Sequence, residues 1–150
     1  MDASGKKWDT SLPPDFRVVE IDEALLASKY RNLDQVKDET VSERDSVEDF
    51  LESSFGYVAI EGDEIVSWCM SEYNTGNRCE LGIASIEGYR RKGLATQVAR
   101  AIIGHAVRQG AYEIGWHCWR NNEPSVRTAL KIGFKLGSDY PVFEVIIDNN

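Results

Sequence analysis

The segment of residues 90–96 combines basic side chains with glycine, residue types that suit the binding of a phosphate group. It lies between a predicted strand and the first turn of a predicted helix, where unpaired backbone N–H groups and the helix dipole favour an anion. Gly93 lets the backbone approach a ligand closely, and Arg91 and Lys92 add positive charge at the rim. The pattern predicts a pyrophosphate site, and a solvated basic turn ended by glycine is the alternative.

The helix that follows this segment is the clearest element of the sequence. Leu94, Val98, Ile102 and Ala106 recur every four residues, and Gly110 ends the pattern. Three other helices are predicted, at about residues 24–30, 46–53 and 124–133. Seven strands are predicted, at residues 16–21, 55–60, 65–73, 78–86, 114–119, 134–136 and 142–147.

The order of these elements predicts an α+β sheet with helices on its faces. We expect one domain over residues 16–150, preceded by a flexible arm over residues 1–15. Residues 34–43 are charged and lack a clear period, so a mobile loop is predicted there.

Length and composition limit the classes of protein. With 150 residues, 42% of them apolar, the chain is long enough to bury a core without disulfides or metal. The formal net charge of -8 argues against nucleic-acid and anionic-membrane partners and favours a cationic partner. Three cysteines without CxxC spacing favour a reducing compartment, and the polar first 14 residues lack the apolar core of a signal peptide. A soluble cytoplasmic protein is therefore predicted.

Two spaced motifs, Q/R-x-x-G-x-G/A and then N-x-x-A/S with K-x-G-F, occur in this order in the sequence. They comprise Arg90, Gly93, Ala95, Asn122, Ser125, Lys131, Gly133 and Phe134. Through these motifs the chain resembles the GNAT acetyltransferase family over roughly residues 55–145. Within that family it looks closest to the zwittermicin A resistance-type acetyltransferases, through Ser67-Trp68-Cys69, Cys79-Glu80 and residues 117–122.

The resemblance implies acetyl-CoA as the cofactor and a single-domain GNAT fold. That fold has a mixed, mostly antiparallel sheet of six or seven strands with helices on both faces. Its strands 4 and 5, which would be residues 79–86 and 113–119 here, splay apart to admit the pantetheine arm. Family habit also implies a possible homodimer.

The family pattern assigns cofactor contacts to three parts of the chain. The backbone of Ile83, Ala84 and Ser85 would pair with pantetheine amides, and Asn122 and Ser125 would touch the cofactor arm from the far side. The pyrophosphate would be held by the segment that comprises Arg90, Arg91, Lys92, Gly93, Leu94, Ala95 and Thr96.

Transfer to an amine requires a base, because an alkyl ammonium with a pKa of about 10.4 is protonated at neutral pH. Glu80 is the candidate, and a surface carboxylate in a cross-strand ion pair is the alternative. Many members of the family use a tyrosine as acid two residues before the motif lysine, but that position is Ala129 here. Tyr140 is therefore the candidate acid, with Tyr73 or solvent as alternatives. Cys118 is expected to pack rather than to carry an acyl group.

Residues on the acceptor side are expected to recognise a cation. Trp68, Glu72 and Tyr73 fall on one predicted strand, where a carboxylate with aromatic faces would suit a positive charge. Core packing explains Trp68 equally well. His117, next to the expected splay, is a candidate for contact with the acceptor and could be a base, with packing as the alternative, whereas His105 is expected to pack. No metal site is predicted.

The leading prediction is acetyl transfer from acetyl-CoA to a primary amine of a small, cationic metabolite or antibiotic. One alternative is a non-catalytic acyl-CoA-binding module that has lost its acid at Ala129. Another is an acetyltransferase for protein or peptide amines. Both the enzyme and the non-catalytic module would bind the cofactor, but only the enzyme would turn it over.

Overall fold

In the computed structural model, residues 12–90 and 92–142 are described, and they form a five-stranded sheet with five helices. The strands are β1 (Phe16–Glu20), β2 (Gly56–Glu61), β3 (Glu64–Thr75), β4 (Arg78–Ser85) and β5 (Glu113–Trp116). The helices are α1 (Glu23–Leu26), α2 (Leu33–Thr40), α3 (Val47–Ser53), α4 (Leu94–Arg108) and α5 (Glu123–Ile132).

The strands lie across the sheet in chain order, from β1 to β5. The first four form antiparallel pairs, and the two hairpins turn at Gly62 and Gly76, whose φ angles of 58° and 59° lie in the left-handed region. β5 is parallel to β4, since α4 carries the chain back along the sheet between them. The α+β fold and the mixed, mostly antiparallel sheet are thus confirmed, with five strands described rather than six or seven.

The sheet is covered on both faces, as predicted. Leu25 of α1, Val36 of α2 and Phe50 of α3 pack with Val58 and Trp68 on one face. On the other face the inner side of α4 packs against strand residues of opposite orientation, through Leu94, Val98, Ala99, Ile102, Ala106, Ala59, Val66, Cys69, Cys79 and Leu81. Because successive side chains of a strand point to opposite faces, the strands contribute to a core on each side of the sheet. The polar Glu80 of β4 lies on the α1–α3 face.

The prediction of a mobile loop at residues 34–43 was wrong, because α2 occupies most of that segment. Leu33, Val36 and Thr40 are buried at helical spacing, Asp34 and Asp38 between them are exposed, and Glu39 is half-buried. Asn32 anchors the start of this helix by donating to the Glu64 carboxylate and to the Ile65 carbonyl, at 3.1 and 2.9 Å. Glu39 of this helix and Glu43, which follows it, thereby lie near Glu72 of β3.

The end of the chain also differs from the prediction. Residues 134–136, predicted as a strand, have no regular secondary structure and follow Gly133, whose φ of 117° ends α5. The strand predicted at residues 142–147 lies, apart from Val142, outside the described residues, as do residues 1–11 of the predicted arm. Among the described residues, no helix has the length and apolar character required to cross a bilayer.

Candidate active site

A cleft of about 180 Å³ lies where the end of β4 meets the start of α4, and we call it the β4–α4 cleft. It is lined by Ser85, Tyr89, Arg90, Gly93, Leu94, Ala95, Thr96, Arg127, Thr128 and Lys131. Five of the residues predicted to hold a pyrophosphate are among them. Ser85, predicted to contact the pantetheine, lines it as well.

The backbone at the start of α4 is shaped by Gly93. This residue is the N-cap, its φ of 76° is left-handed, and no side chain caps the helix. A Cβ at this position would meet no atom within 4 Å, so the glycine is required by the backbone conformation and the space beside it is open. The first N–H groups of α4 have no acceptor within the helix and carry the positive end of its dipole. The cleft is therefore suited to a phosphate.

Positive side chains reach the cleft from two directions. Arg90 comes from the loop, and Lys131 and Arg127 come from α5, where Arg127 also pairs with Glu123 at 3.0 Å. Sequence reasoning counted Lys131 only as part of a motif and missed Arg127. Their spacing of four residues, which puts both on one face of a helix, is the signal that would have found them.

Lys92, another residue predicted to hold the pyrophosphate, is not part of this lining. The Lys92 ammonium lies over the rings of Tyr89 and Phe16, at 4.8 and 5.9 Å from their centres. Its charge is thus held by a cation–π contact. Arg91, the other predicted rim residue, lies outside the described residues.

The second half of β4 lacks a partner on one side among the described residues. Pairing between β4 and β5 runs from Arg78 with Glu113 to Leu81 with Trp116 and then ends. Residues 82–85 stay paired with β3 on their other side, where Trp68 is opposite Ala84. The predicted pantetheine contacts, residues 83–85, therefore lie on a strand edge that β5 does not cover.

Asn122 and Ser125 lie at the start of α5. The Asn122 side chain caps this helix by accepting from the Ser125 N–H at 3.4 Å. The Ser125 hydroxyl accepts from the indole N–H of Trp116 at 3.0 Å and so ties α5 to β5. Both residues have local structural roles, and their contact with a cofactor stays a prediction.

Two carboxylates lie on the α1–α3 face near the paired part of β4, and we call Glu72 and Glu80 the carboxylate row. Glu72 is at an irregularity in the pairing of β3 with β4, between Ser71 and Tyr73. Glu80 is opposite Gly115 of β5. Its Oε2 is buried and lies 3.0 Å from Nδ1 of His117, without hydrogen-bond geometry, so this oxygen has no hydrogen-bond donor among the described residues.

The carboxylate row lies in a field of like charge. Burial, and then the charges of Glu39 and Glu43, raise the pKa of Glu72, while His117 acts in the opposite direction. Burial and Glu43 also raise the pKa of Glu39. The pKa of Tyr73 is raised to about 12, chiefly because its hydroxyl is hydrogen-bonded to Glu43. Ionised carboxylates outnumber cations here, so a positively charged ligand would be stabilised.

Sequence reasoning missed Glu39 and Glu43 because both fall in the segment that was predicted as a loop. Glu39 is the seventh residue of α2, and Glu43 follows the end of that helix. The burial of Val36 and Thr40 turns this end of α2 towards the sheet. Helical spacing of those two residues with Leu33 was the available signal.

The remaining candidates are distributed around the carboxylate row. Tyr140 is 56% exposed, and its ring packs edge-on against His117 with the centres 6.0 Å apart. Trp68 is only 5% exposed and packs in the α1–α3 core. Ala129, at the position of the family's tyrosine, is buried and has no ionisable group, so it cannot act as the acid. Cys118 is exposed beyond the end of β5, and its predicted packing in a strand was wrong.

Comparisons with known proteins agree with this architecture. The chain is 35% identical over 98 residues to the uncharacterized N-acetyltransferase YdfB of Bacillus subtilis (strain 168), covering 65% of this chain and 37% of YdfB. A GCN5-related N-acetyltransferase-like protein from Streptococcus suis 89/1591 has a TM-score of 0.68 at 24% identity, covering 89% of this chain and 55% of that one. The aminoglycoside N-acetyltransferase AAC(6')-Iy in complex with CoA has a TM-score of 0.68 at 14% identity, covering 89% and 99%.

The structural likenesses, at these identities, show the fold. The chain spans 37% of the curated relative and 55% of the Streptococcus protein that it matches. The family model of the GNAT acetyltransferases matches residues 3–143, which is nearly the whole sequence. The chain belongs to the GNAT acetyltransferase family.

Proposed function

We propose that this protein transfers an acetyl group from acetyl-CoA to a primary amine of a small, cationic molecule. The observation that carries the proposal is that one strand, β4, joins two sites of opposite charge. Ser85 at its end lines the basic β4–α4 cleft, and Glu80 near its start belongs to the carboxylate row. The five residue steps between them span about 17 Å at roughly 3.4 Å per residue. An anionic donor and a cationic acceptor thus have separate, connected places.

The residues of the β4–α4 cleft fit the phosphates of CoA. Gly93 opens the backbone, the N–H groups of the first turn of α4 would donate to an anion, and Arg90 and Lys131 add charge. The uncovered edge of residues 82–85 offers backbone groups to the amides of the pantetheine arm, in the place where the family pattern puts a splay between strands 4 and 5. Bound acetyl-CoA would supply a thioester carbonyl as the acceptor of the nucleophile. The CoA complex of AAC(6')-Iy, which has the same fold, supports this assignment.

Glu80 is proposed as the base that removes the proton of the acceptor ammonium. Its side chain is one-third exposed, so the carboxylate can accept that proton directly or through one water, while the buried Oε2 lies beside His117. His117, whose Nδ1 lies 3.0 Å from Glu80 Oε2, would receive or share the proton afterwards. The neutral amine would then attack the thioester carbonyl and form the new C–N bond, the C–S bond to the thiolate would break, and the second proton lost by the nitrogen would pass to solvent, which balances the proton that the thiolate takes up.

The leaving group needs limited assistance, because a thiol ionises near pH 8.5. With Ala129 at the position of the usual acid, we propose that Tyr140, in ring contact with His117, or solvent returns a proton to the thiolate. A Tyr140→Phe variant that retains full turnover would assign this step to solvent.

The acceptor is proposed to carry a positive charge in addition to the reacting amine. Glu72 and Tyr73 on β3, with Glu39 and Glu43 beside them, form a negative surface next to Glu80. The aminoglycoside acetyltransferases among proteins of this fold act on molecules of this kind. Kinship with the zwittermicin A resistance-type enzymes, a cytoplasmic location and a homodimer stay predictions, as does the absence of nucleic-acid and membrane partners.

Two measurements test the function. Isothermal titration with acetyl-CoA measures donor binding, and release of free thiol reports turnover with a monoamine, a diamine, a polyamine and an aminoglycoside as acceptors. We expect micromolar donor binding and a higher kcat/KM for the multiply charged amines than for the monoamine. Binding without turnover on any amine would instead support the non-catalytic module, and turnover only on a lysine peptide would support the protein-directed alternative. Absence of donor binding would contradict both the enzyme and the module.

A further inference from the structure

Two glycines lie directly beneath the carboxylate row. A Cβ added at Gly82 of β4 would overlap the carboxylate of Glu72, and a Cβ added at Gly115 of β5 would overlap both carboxylate oxygens of Glu80. For each glycine, the three nearest atoms that a Cβ would meet all belong to that one glutamate. The match is therefore specific, with one glycine for each carboxylate.

The strand register explains this arrangement. Glu80 is paired with Gly115, and Glu72 falls beside the pairing of Met70 with Gly82. Each glutamate thus extends from its own strand over the glycine of the next strand towards β5. Side chains of a sheet ordinarily stand roughly perpendicular to it, so two that lie across it require neighbours without side chains.

Neither glycine is required by its backbone. Both have φ angles outside the left-handed region, unlike Gly62, Gly76 and Gly93. Glycine within a strand costs about 0.5–1 kcal/mol relative to alanine, because the unfolded chain loses more freedom on folding. A side chain at either position would be favoured by the strand, and the atoms that it would meet first belong to the carboxylate above it.

We propose that Gly82 and Gly115 are positioning residues of the acetyl-transfer site, an inference that rests on the proposed function. The absence of side chains at these two positions lets Glu72 and Glu80 lie flat along the sheet. Gly115 thereby holds the Glu80 carboxylate within 3.0 Å of Nδ1 of His117. Gly82 holds Glu72 half-buried beside it, so both carboxylates face the acceptor from one side.

The activity test compares Gly115→Ala with Gly137→Ala, since a Cβ at Gly137 would meet no atom within 4 Å. We expect Gly115→Ala to lower kcat at least 10-fold and to change the pH profile of kcat, with the KM for acetyl-CoA unchanged. Gly137→Ala should match the wild type. A Gly115→Ala enzyme with the wild-type kcat and pH profile would overturn the proposal.

A stability measurement separates positioning from a need of the sheet itself. The double variant Gly115→Ala/Glu80→Ala should have a higher Tm than Gly115→Ala, because the new Cβ displaces the Glu80 carboxylate and removal of that carboxylate removes the overlap. A double variant as unstable as Gly115→Ala would show that the glycine serves the strand, and the proposal would be wrong.

A readout without turnover distinguishes this inference from the proposed function. Carboxyl 13C NMR of the whole protein, with Glu72 assigned through Glu72→Gln, reports the titration of that residue. In Gly82→Ala the carboxylate is displaced into solvent, so its raised pKa should fall towards the ordinary glutamate value. An unchanged titration would contradict the positioning role of Gly82. If the fall occurs but the wild type acetylates no amine, the proposed function fails and the geometric part of the inference stands.

Discussion

The β4–α4 cleft and the carboxylate row differ in how the sequence builds them. Most residues that line the cleft are close together in sequence, between Ser85 and Thr96. The others, such as Lys131, belong to α5. The row joins residues of separate elements, with Glu72 from β3 and Glu80 from β4. Local backbone conformation sets the first site and strand register sets the second. A motif can therefore reveal the first but not the second.

The two sites also differ in charge, within a chain whose formal net charge is -8. Arg90, Arg127 and Lys131 give the cleft a positive lining. Around the carboxylate row, burial and then the charges of neighbouring carboxylates raise the pKa of Glu39 and Glu72. The positive cleft suits the anionic donor acetyl-CoA, and the negative carboxylate row suits a cationic acceptor. Single substitutions can therefore test each site separately.

Replacement of Glu80 should have the largest effect. In Glu80→Gln the proton acceptor is lost, so kcat should fall by about 10²- to 10³-fold, within the usual range for a general base. The affinity for acetyl-CoA should not change, because the cleft lies at the other end of β4. Thiol release and calorimetry measure the two quantities, and Glu48→Gln on the exposed side of α3 is the control. A Glu80→Gln enzyme within 3-fold of the wild type, roughly 0.6 kcal/mol, would exclude Glu80 as the base.

A side chain at Gly93 should disrupt the cleft alone. Gly93→Val places a branched side chain where the phosphate is expected, and we predict that Kd for acetyl-CoA rises at least about 10-fold, or 1.4 kcal/mol. Gly110→Val is the matched control, since Gly110 is also left-handed, with φ of 89°, and lies just beyond the opposite end of α4. Both variants should lose about 1–2 kcal/mol of stability through backbone strain. Equal loss of affinity in both would point to strain rather than to a phosphate site.

Charge on α5 should contribute less. Lys131→Gln removes one exposed cation from the cleft, so Kd for acetyl-CoA should rise by about 2- to 5-fold, as expected for an exposed ion pair worth roughly 0.5–1 kcal/mol. The difference should shrink in high salt because the charges are screened. Calorimetry at two salt concentrations checks this, with Lys135→Gln, outside the lining, as the control. A salt-independent difference would argue against a phosphate contact.

The smallest expected effect is on stability at the carboxylate row. The raised pKa of Glu72 means that the folded state binds more protons than the unfolded state just above the ordinary value of 4.5, so the unfolding free energy falls as pH rises through that window. Glu72→Gln should therefore be more stable than the wild type at pH 7, by roughly 0.5 kcal/mol, and should bind cationic acceptors less well. Urea unfolding at pH 4 and pH 7 measures the gain, which should be present at pH 7 and reduced at pH 4. Lower stability of Glu72→Gln at pH 7 would contradict the like-charge description.

Much of the fold followed from the sequence, since the period of α4, the turn glycines and the two faces of β2 and β3 are local signals. α2 was missed because its charged residues concealed the three that are buried, Leu33, Val36 and Thr40. The cleft was found through a local motif. The positions of Glu72 over Gly82 and of Glu80 over Gly115 could not be found, because they depend on an irregular register and on a parallel strand that begins more than 30 residues later. Register errors of one residue would reverse every orientation on which it depends.

The central claim is that β4 connects a donor site and an acceptor site, and a bisubstrate analogue tests it most directly. Calorimetry would compare CoA with a compound in which the CoA sulfur is joined through an acetyl linker to one nitrogen of 1,4-diaminobutane. We predict that the analogue binds at least about 10-fold more tightly than CoA, because its second ammonium reaches the carboxylate row without a further loss of translational freedom. Gly93→Val should weaken both ligands, and Glu72→Gln only the analogue. Equal affinity of CoA and the analogue, unchanged in Glu72→Gln, would contradict a connected acceptor site.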